Sequence, residues 1–168
     1  IITFEEFPAQ YYHDARNFGW DLKKFEDEGM LKIVFTNPES ALEEIEEIGG
    51  RLETMIDEMG IKRCLIDSLT HFAYAVKDEE DLRELEFNFI TSLKREGLTS
   101  ILLRENNNLL GQTESLSQAP FIADSYLILR YVEIDSAVSK AMLVLKMRGS
   151  QHAKDIRRFE IREDGCRI

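Results

Sequence analysis

The sequence predicts an α/β protein, with a mostly parallel sheet flanked by helices and a β-rich C-terminal part. Two observations carry this. Through residue 105, short apolar segments alternate with amphipathic helical ones, the pattern of a parallel sheet covered on both faces. After Asn106 the alternation stops and long strand-like segments follow. With no repeat, low-complexity stretch or Pro/Gly-rich linker, residues 1–168 are read as one domain, long enough to bury a core.

The elements follow in order. Ile1 to Phe4 reads as a strand, so the chain opens inside an element. Pro8 suits the first turn of a helix, because the N–H it lacks would have no helical partner there; that helix runs to about Phe18. A short helix, "DLKKFEDE", ends at Gly29, and "MLKIVF" is a strand. From Ala41 to Met59, the residues Leu42, Ile45, Ile48, Leu52, Met55, Ile56 and Met59 recur at helical spacing, and Gly60 stops the helix. "RCLID" is an apolar strand ending in an acid. "DEEDLRELEFNFITSLKRE" is a helix buried through Leu82, Leu85, Phe89 and Leu93, and Gly97 stops it before the strand "LTSILLRE". Residues 106–119 are polar and loop-like. "IADSYLILRYVEI" and "KAMLVLKMRG" are two long strands joined near Asp135 to Ser139, the second read as buried core; "IRRFEIREDGCRI" adds a strand and an Asp164–Gly165 turn.

The formal net charge is −11. It argues against broad binding to nucleic acid or anionic lipid, while leaving room for a small cationic pocket. Acidic runs such as "EEIEEI" and "KDEEDLRELE" read as solvated helix faces. No apolar window of about 18 residues predicts a membrane span. The start has no basic n-region or cleavage pattern, so a cytoplasmic protein is expected. Cys64 and Cys166 lack metal spacing, and Cys64 reads as a small buried thiol.

In open α/β sheets, ligands bind beyond the carboxyl ends of the strands. Three such ends carry polar groups. Glu5 and Glu6 could include a base that orients water, or be acids placed before a helix N-terminus. Asp67, followed by Ser68, has the form of a Walker B acid, which holds magnesium through water; the alternative is an Asp that caps the next turn. Arg104 and Glu105 read as a surface ion pair. His13 is a surface or packing residue, and His71 could line a site. No pair of histidines has ligand spacing, so no zinc site is proposed. Lys146 and Arg148, two apart on one strand, point to one face. They suit either a bound anion or a solvated edge with acidic partners.

Taken in order, "ITFEEFP", "ARNFGWDL", "EGMLKI", "LIDSLTHF", "IADSYLILRYVEI", "VLKMRGSQH" and "FEIREDGCRI" resemble the KaiC-type ATPases of the RecA superfamily, over nearly the whole chain. The resemblance implies a RecA-like fold, ATP and Mg2+ as ligands, and assembly into a homo-oligomeric ring, usually a hexamer. It implies that Glu5 and Glu6 are the catalytic glutamates and that Asp67 is the magnesium acid, with Ser68 beside the nucleotide. Lys146, Arg148 and Gly149 would reach the nucleotide of the neighbouring subunit, with His152 near it. Two departures stand out. No G-x-x-x-x-G-K-S/T occurs in the 168 residues, so the chain is expected to be the family domain without its N-terminal phosphate-loop unit, and inactive alone. The clock-type phosphoacceptor Ser and Thr correspond to Pro120 and Phe121, which argues against autokinase activity. The leading expectation is the C-terminal part of an ATP-hydrolysing ring protein. The alternatives are a non-catalytic interaction or regulatory module that keeps the fold and, weakened by the charge of −11, a DNA recombinase.

Overall fold

The computed structural model describes residues 1–105, 122–134 and 136–168. The chain falls into two compact units, Ile1–Glu105 and Asn106–Ile168. The expectations for residues 106–119, for Pro120 and Phe121, and for Asp135 lie outside the described residues.

The first unit holds a four-stranded parallel sheet. In chain order its elements are β1 (Ile2–Thr3), α1 (Pro8–Asn17), α2 (Leu22–Asp27), β2 (Val34–Phe35), α3 (Pro38–Glu46), α4 (Arg51–Met59), β3 (Arg63–Asp67), a 3-10 turn at Leu69–His71, α5 (Phe72–Ala75), α6 (Glu79–Arg95) and β4 (Thr99–Leu102). The strand order is β2-β1-β3-β4. All three pairings are parallel, with Thr3 opposite Asp67. This register sets the ends of β1 and β3 side by side. It is the α/β architecture expected from the alternation.

The helices begin and end for local reasons. Pro8 stands in the first turn of α1, as its missing N–H allows. The Asp78 side chain accepts hydrogen bonds from the N–H groups of Glu80 and Asp81 and so caps α6. Glu79, Glu80 and Asp81 fill the first turn of that helix and Lys94 and Arg95 the last, both matched to the helix dipole. Part of the acidic run "KDEEDLRELE" is therefore a helix start. Phe72, Phe89, Ile45, Ile66 and Leu93 are fully buried between sheet and helices, each contributing about 1.5–3 kcal/mol. Phe4, just before the glutamates, packs its ring edge-on against Phe72 at 5.6 Å between centroids, which anchors the end of β1.

The helix expected from Ala41 to Met59 is two helices, starting at Pro38 and broken between Glu46 and Arg51. Gly49 takes a positive φ of 80°, and the Gly50 N–H bonds back to the Glu47 carbonyl at 2.8 Å. The strand expected over "MLKIVF" reduces to Val34–Phe35.

The second unit is an antiparallel sheet of β5 (Ser125–Ile134), β6 (Ala137–Met147), β7 (Arg157–Arg162) and β8 (Gly165–Arg167), paired in that order. The expected terminal turn at Asp164 links β7 to β8. The strand read as buried core is not one: in β6 only Ala141 is fully buried, and Leu145 is 48% exposed. No described helix is long and apolar enough to cross a membrane.

Candidate functional site

The sequence-predicted residues form two groups, one in each unit. In the first, Thr3 ends β1 and folds its own loop. Its hydroxyl donates to the Glu6 carbonyl at 3.0 Å and accepts from the Glu6 N–H at 3.1 Å. The Phe4 N–H donates to the Asp67 carbonyl at 3.0 Å, extending the ladder one residue past the strand. Glu5 and Glu6 thus leave β1 beside the end of β3, with both side chains exposed. Loss of surrounding solvent raises the Glu6 carboxyl above its ordinary value, and the negative charges of Asp14, Asp67 and Glu5 push it the same way.

Asp67 is half-buried and Ser68 is buried, joined by a cis peptide bond. The Tyr11 hydroxyl, on α1, donates to the Asp67 carboxylate. Burial first, and then that carboxylate, lift the Tyr11 phenol well above its usual range. His71 sits over the same loop. Its Nδ1 lies 3.4 Å from the Ser68 hydroxyl and its Nε2 lies 3.6 Å from the Glu5 carboxylate. The residues Glu5, Glu6, Asp67 and Ser68 are therefore brought together, with Tyr11 and His71 added to them.

Arg104 corrects an expectation. Its partner is not Glu105 but Glu86 of α6, whose side chain is 3% exposed. The Glu105 N–H instead donates to the Thr70 hydroxyl at 2.9 Å. Burial raises the Glu86 carboxyl, while the Arg104 guanidinium pulls it back. Sequence spacing could not reveal these contacts, since Tyr11 meets Asp67 from 56 positions away and Glu86 meets Arg104 from 18.

In the second unit, β5 and β6 pair with a shift. Tyr126 stands opposite Lys146 but Leu127 opposite Val144, so Leu145 is an extra residue in the ladder. The strand ends at Met147, which puts Arg148 in the following turn. The Arg148 N–H donates to the Asp124 carbonyl at 2.8 Å, which carries the pairing one residue past the strand. Both cations converge on the segment before β5. The Lys146 ammonium donates to the Ala123 carbonyl at 2.7 Å, and the Arg148 guanidinium meets the Asp124 carboxylate at 3.2 Å. Gly149 turns the chain at φ 70°, and His152 is half-buried just beyond.

The sequence profile of the family described as "ATPase: KaiC" matches residues 1–168. The chain belongs to the KaiC ATPase family. It is 34% identical over 170 residues to the circadian clock protein KaiC3 of Synechocystis sp., covering all of this chain and 33% of that protein. It is 33% identical over 166 residues to the circadian clock oscillator protein KaiC 1 of the same organism, covering 98% of this chain and 31% of that protein. It is 30% identical over 176 residues to the circadian clock oscillator protein KaiC of Synechococcus elongatus, covering all of this chain and 34% of that protein. The chain thus spans about a third of the curated relatives it matches. The parallel sheet flanked by helices and the antiparallel sheet agree with the RecA-like fold of a KaiC domain.

The donors suit a hard cation. Asp67 would supply a carboxylate oxygen, and Mg2+ typically takes one or two carboxylates, water and substrate phosphates. Among the described residues no group of three His, Cys, Asp or Glu could hold a metal by itself. An ion here would therefore rely on phosphate and water for its remaining ligands.

Proposed function

We propose that this KaiC-family chain supplies the catalytic carboxylates of an ATP-hydrolysing site at subunit interfaces of a homo-oligomeric, hexameric ring in the cytoplasm. The observation that carries the reading is the gathering of Glu5, Glu6, Asp67 and Ser68 beyond the carboxyl ends of two adjacent parallel strands. In this reading a carboxylate of the Glu5/Glu6 pair orients water for in-line attack on the γ-phosphorus of ATP and takes up its proton. The bond from that phosphorus to the β-γ bridging oxygen breaks, and ADP leaves. Asp67, with Ser68 beside it, would hold Mg2+, which neutralises phosphate charge when bound. Lys146, Arg148, Gly149 and His152 serve the nucleotide of a neighbouring subunit. A fixed guanidinium fork and a compact ammonium suit phosphate oxygens, and both would exchange their present contacts at Ala123 and Asp124 for them.

Phosphate release, measured on the protein at its full natural length with Mg-ATP, tests this. Glu5→Gln combined with Glu6→Gln is expected to lower kcat by about a hundredfold or more, and Asp67→Asn to raise the Mg2+ concentration needed for half-maximal turnover. Wild-type turnover in the double Gln variant would overturn the assignment. A wild-type protein that neither binds nor hydrolyses ATP would instead favour a non-catalytic module.

A further inference from the structure

We propose that His71 is a positioning residue for Glu5, linking the buried Ser68 hydroxyl to the Glu5 carboxylate through the two nitrogens of one imidazole. The inference rests on the hydrolase reading above and names a residue which that reading does not use.

The geometry is specific to both nitrogens. Nδ1 faces the Ser68 hydroxyl at 3.4 Å and Nε2 faces the Glu5 carboxylate at 3.6 Å. Ser68 is buried, 4% exposed, and its hydroxyl needs a partner. If it donates to Nδ1, the imidazole carries its proton on Nε2, the nitrogen turned toward Glu5. The backbone holds the histidine in place, since the His71 N–H donates to the Ser68 carbonyl at 3.2 Å within the 3-10 turn. The ring packs against Phe4, with centroids 6.5 Å apart, and edge-on against Tyr74, 5.9 Å away with the planes at 69°. Phe4 is itself buried.

Glu5 lacks such support of its own. Its side chain is 65% exposed, and a free surface carboxylate samples many rotamers. Glu6, by contrast, has its backbone tied to Thr3. A carboxylate that must present one oxygen to water gains rate from being held in one orientation. Both nitrogen distances exceed an ideal hydrogen bond. Such contacts commonly tighten when substrate fills a site.

A merely packed ring and a positioning imidazole predict opposite results. His71→Leu keeps apolar volume and loses both nitrogens. His71→Gln loses the ring but returns an N–H donor near the position of Nε2. On the protein at full length, His71→Leu is expected to lower kcat about tenfold with KM for Mg-ATP unchanged, and His71→Gln to restore most of the loss. In a Glu5→Gln background, His71→Leu should cost nothing further. Equal losses in the Leu and Gln variants, a Leu variant with full kcat, or additive effects with Glu5→Gln would each overturn the proposal.

One measurement does not involve ATP. Nitrogen-15 spectra of the imidazoles are expected to show His71 protonated at Nε2, with that resonance moved by Glu5→Gln and not by Glu6→Gln. An unmoved resonance overturns the contact itself. A resonance that moves in a protein without ATPase activity overturns the hydrolase reading, and with it the catalytic purpose of the contact.

Discussion

Arg104 and Glu86 show how much one residue can depend on another. The Glu86 carboxyl is nearly sealed from water and is balanced by a guanidinium from the end of β4. Deleting Arg104 leaves a buried carboxylate unpaired, at a cost of about 2–3 kcal/mol once partial solvent access to the arginine is allowed for. The pH dependence follows from Glu86, which burial raises and Arg104 lowers. A carboxyl raised on folding holds its proton more tightly in the folded state. Its contribution is therefore fully present below the unfolded value and is lost as pH rises through the folded one. Without Arg104 the folded value climbs further. Urea unfolding of Arg104→Ala is thus expected to show a larger loss at about pH 8 than at about pH 5, with Glu86→Gln milder at both; equal losses at the two pH values would contradict this balance. Such pairs were illegible in the sequence for a physical reason. The chain order shows that Asp67 ends a strand, but not that Tyr11 of a distant helix donates to it. It placed Arg104 beside Glu105, yet an arginine side chain reaches across to whichever carboxylate burial has made needy.

At the scale of elements, glycines near positions 50 and 60 separate two kinds of constraint. Gly60 ends α4 at φ 60°, with open space where a Cβ would sit. Its constraint is backbone conformation alone, so Gly60→Ala is expected to cost about 1 kcal/mol. Gly50 has an ordinary φ of −61°, but a Cβ there would stand 2.3 Å from the Glu44 carbonyl oxygen. The backbone at the end of α3 would have to move, so Gly50→Ala should destabilise more than Gly60→Ala. Thermal unfolding of the two variants checks the order, and a Gly60→Ala loss exceeding that of Gly50→Ala would refute the close-approach argument. The same site explains why helical spacing from Ala41 to Met59 read as one helix. Ile45 and Leu52 are buried on either side of the break, so the apolar period survives it. Ile48, counted in that period, is 98% exposed. Helix type was legible because every residue of that period except Ile48 is at least half-buried, and the strand ending at Asp67 because its apolar run leads to the buried Ile66. Strands β1 and β2, two residues each, are too short for any period to mark their ends.

For the whole molecule, the two groups of site residues belong to different units of the chain, and the proposal assigns them to different nucleotides. The strongly acidic composition makes the cations before and after Met147 more distinctive, because 32 Asp and Glu outnumber 21 Lys and Arg. If Glu5 and Glu6 act on a subunit's own ATP, their change to Gln disables that subunit's site. If Arg148 acts on the neighbour's ATP, Arg148→Ala disables the adjacent site. An arginine supplied in trans can be worth about a thousandfold in rate, so a ring made wholly of either variant should be nearly inactive. Mixed rings differ. Where an Arg148→Ala subunit offers its intact glutamates and a Gln subunit presents its intact Arg148, one complete site forms. Part of the turnover should therefore return on mixing under conditions that allow subunits to exchange, and the gain should track the fraction of mixed interfaces. Labelled subunits establish that exchange has occurred. Unrecovered turnover in rings proven to be mixed would place the cations and the glutamates on the same nucleotide, and Lys146 and Arg148 would then have to be reassigned to their own subunit's site.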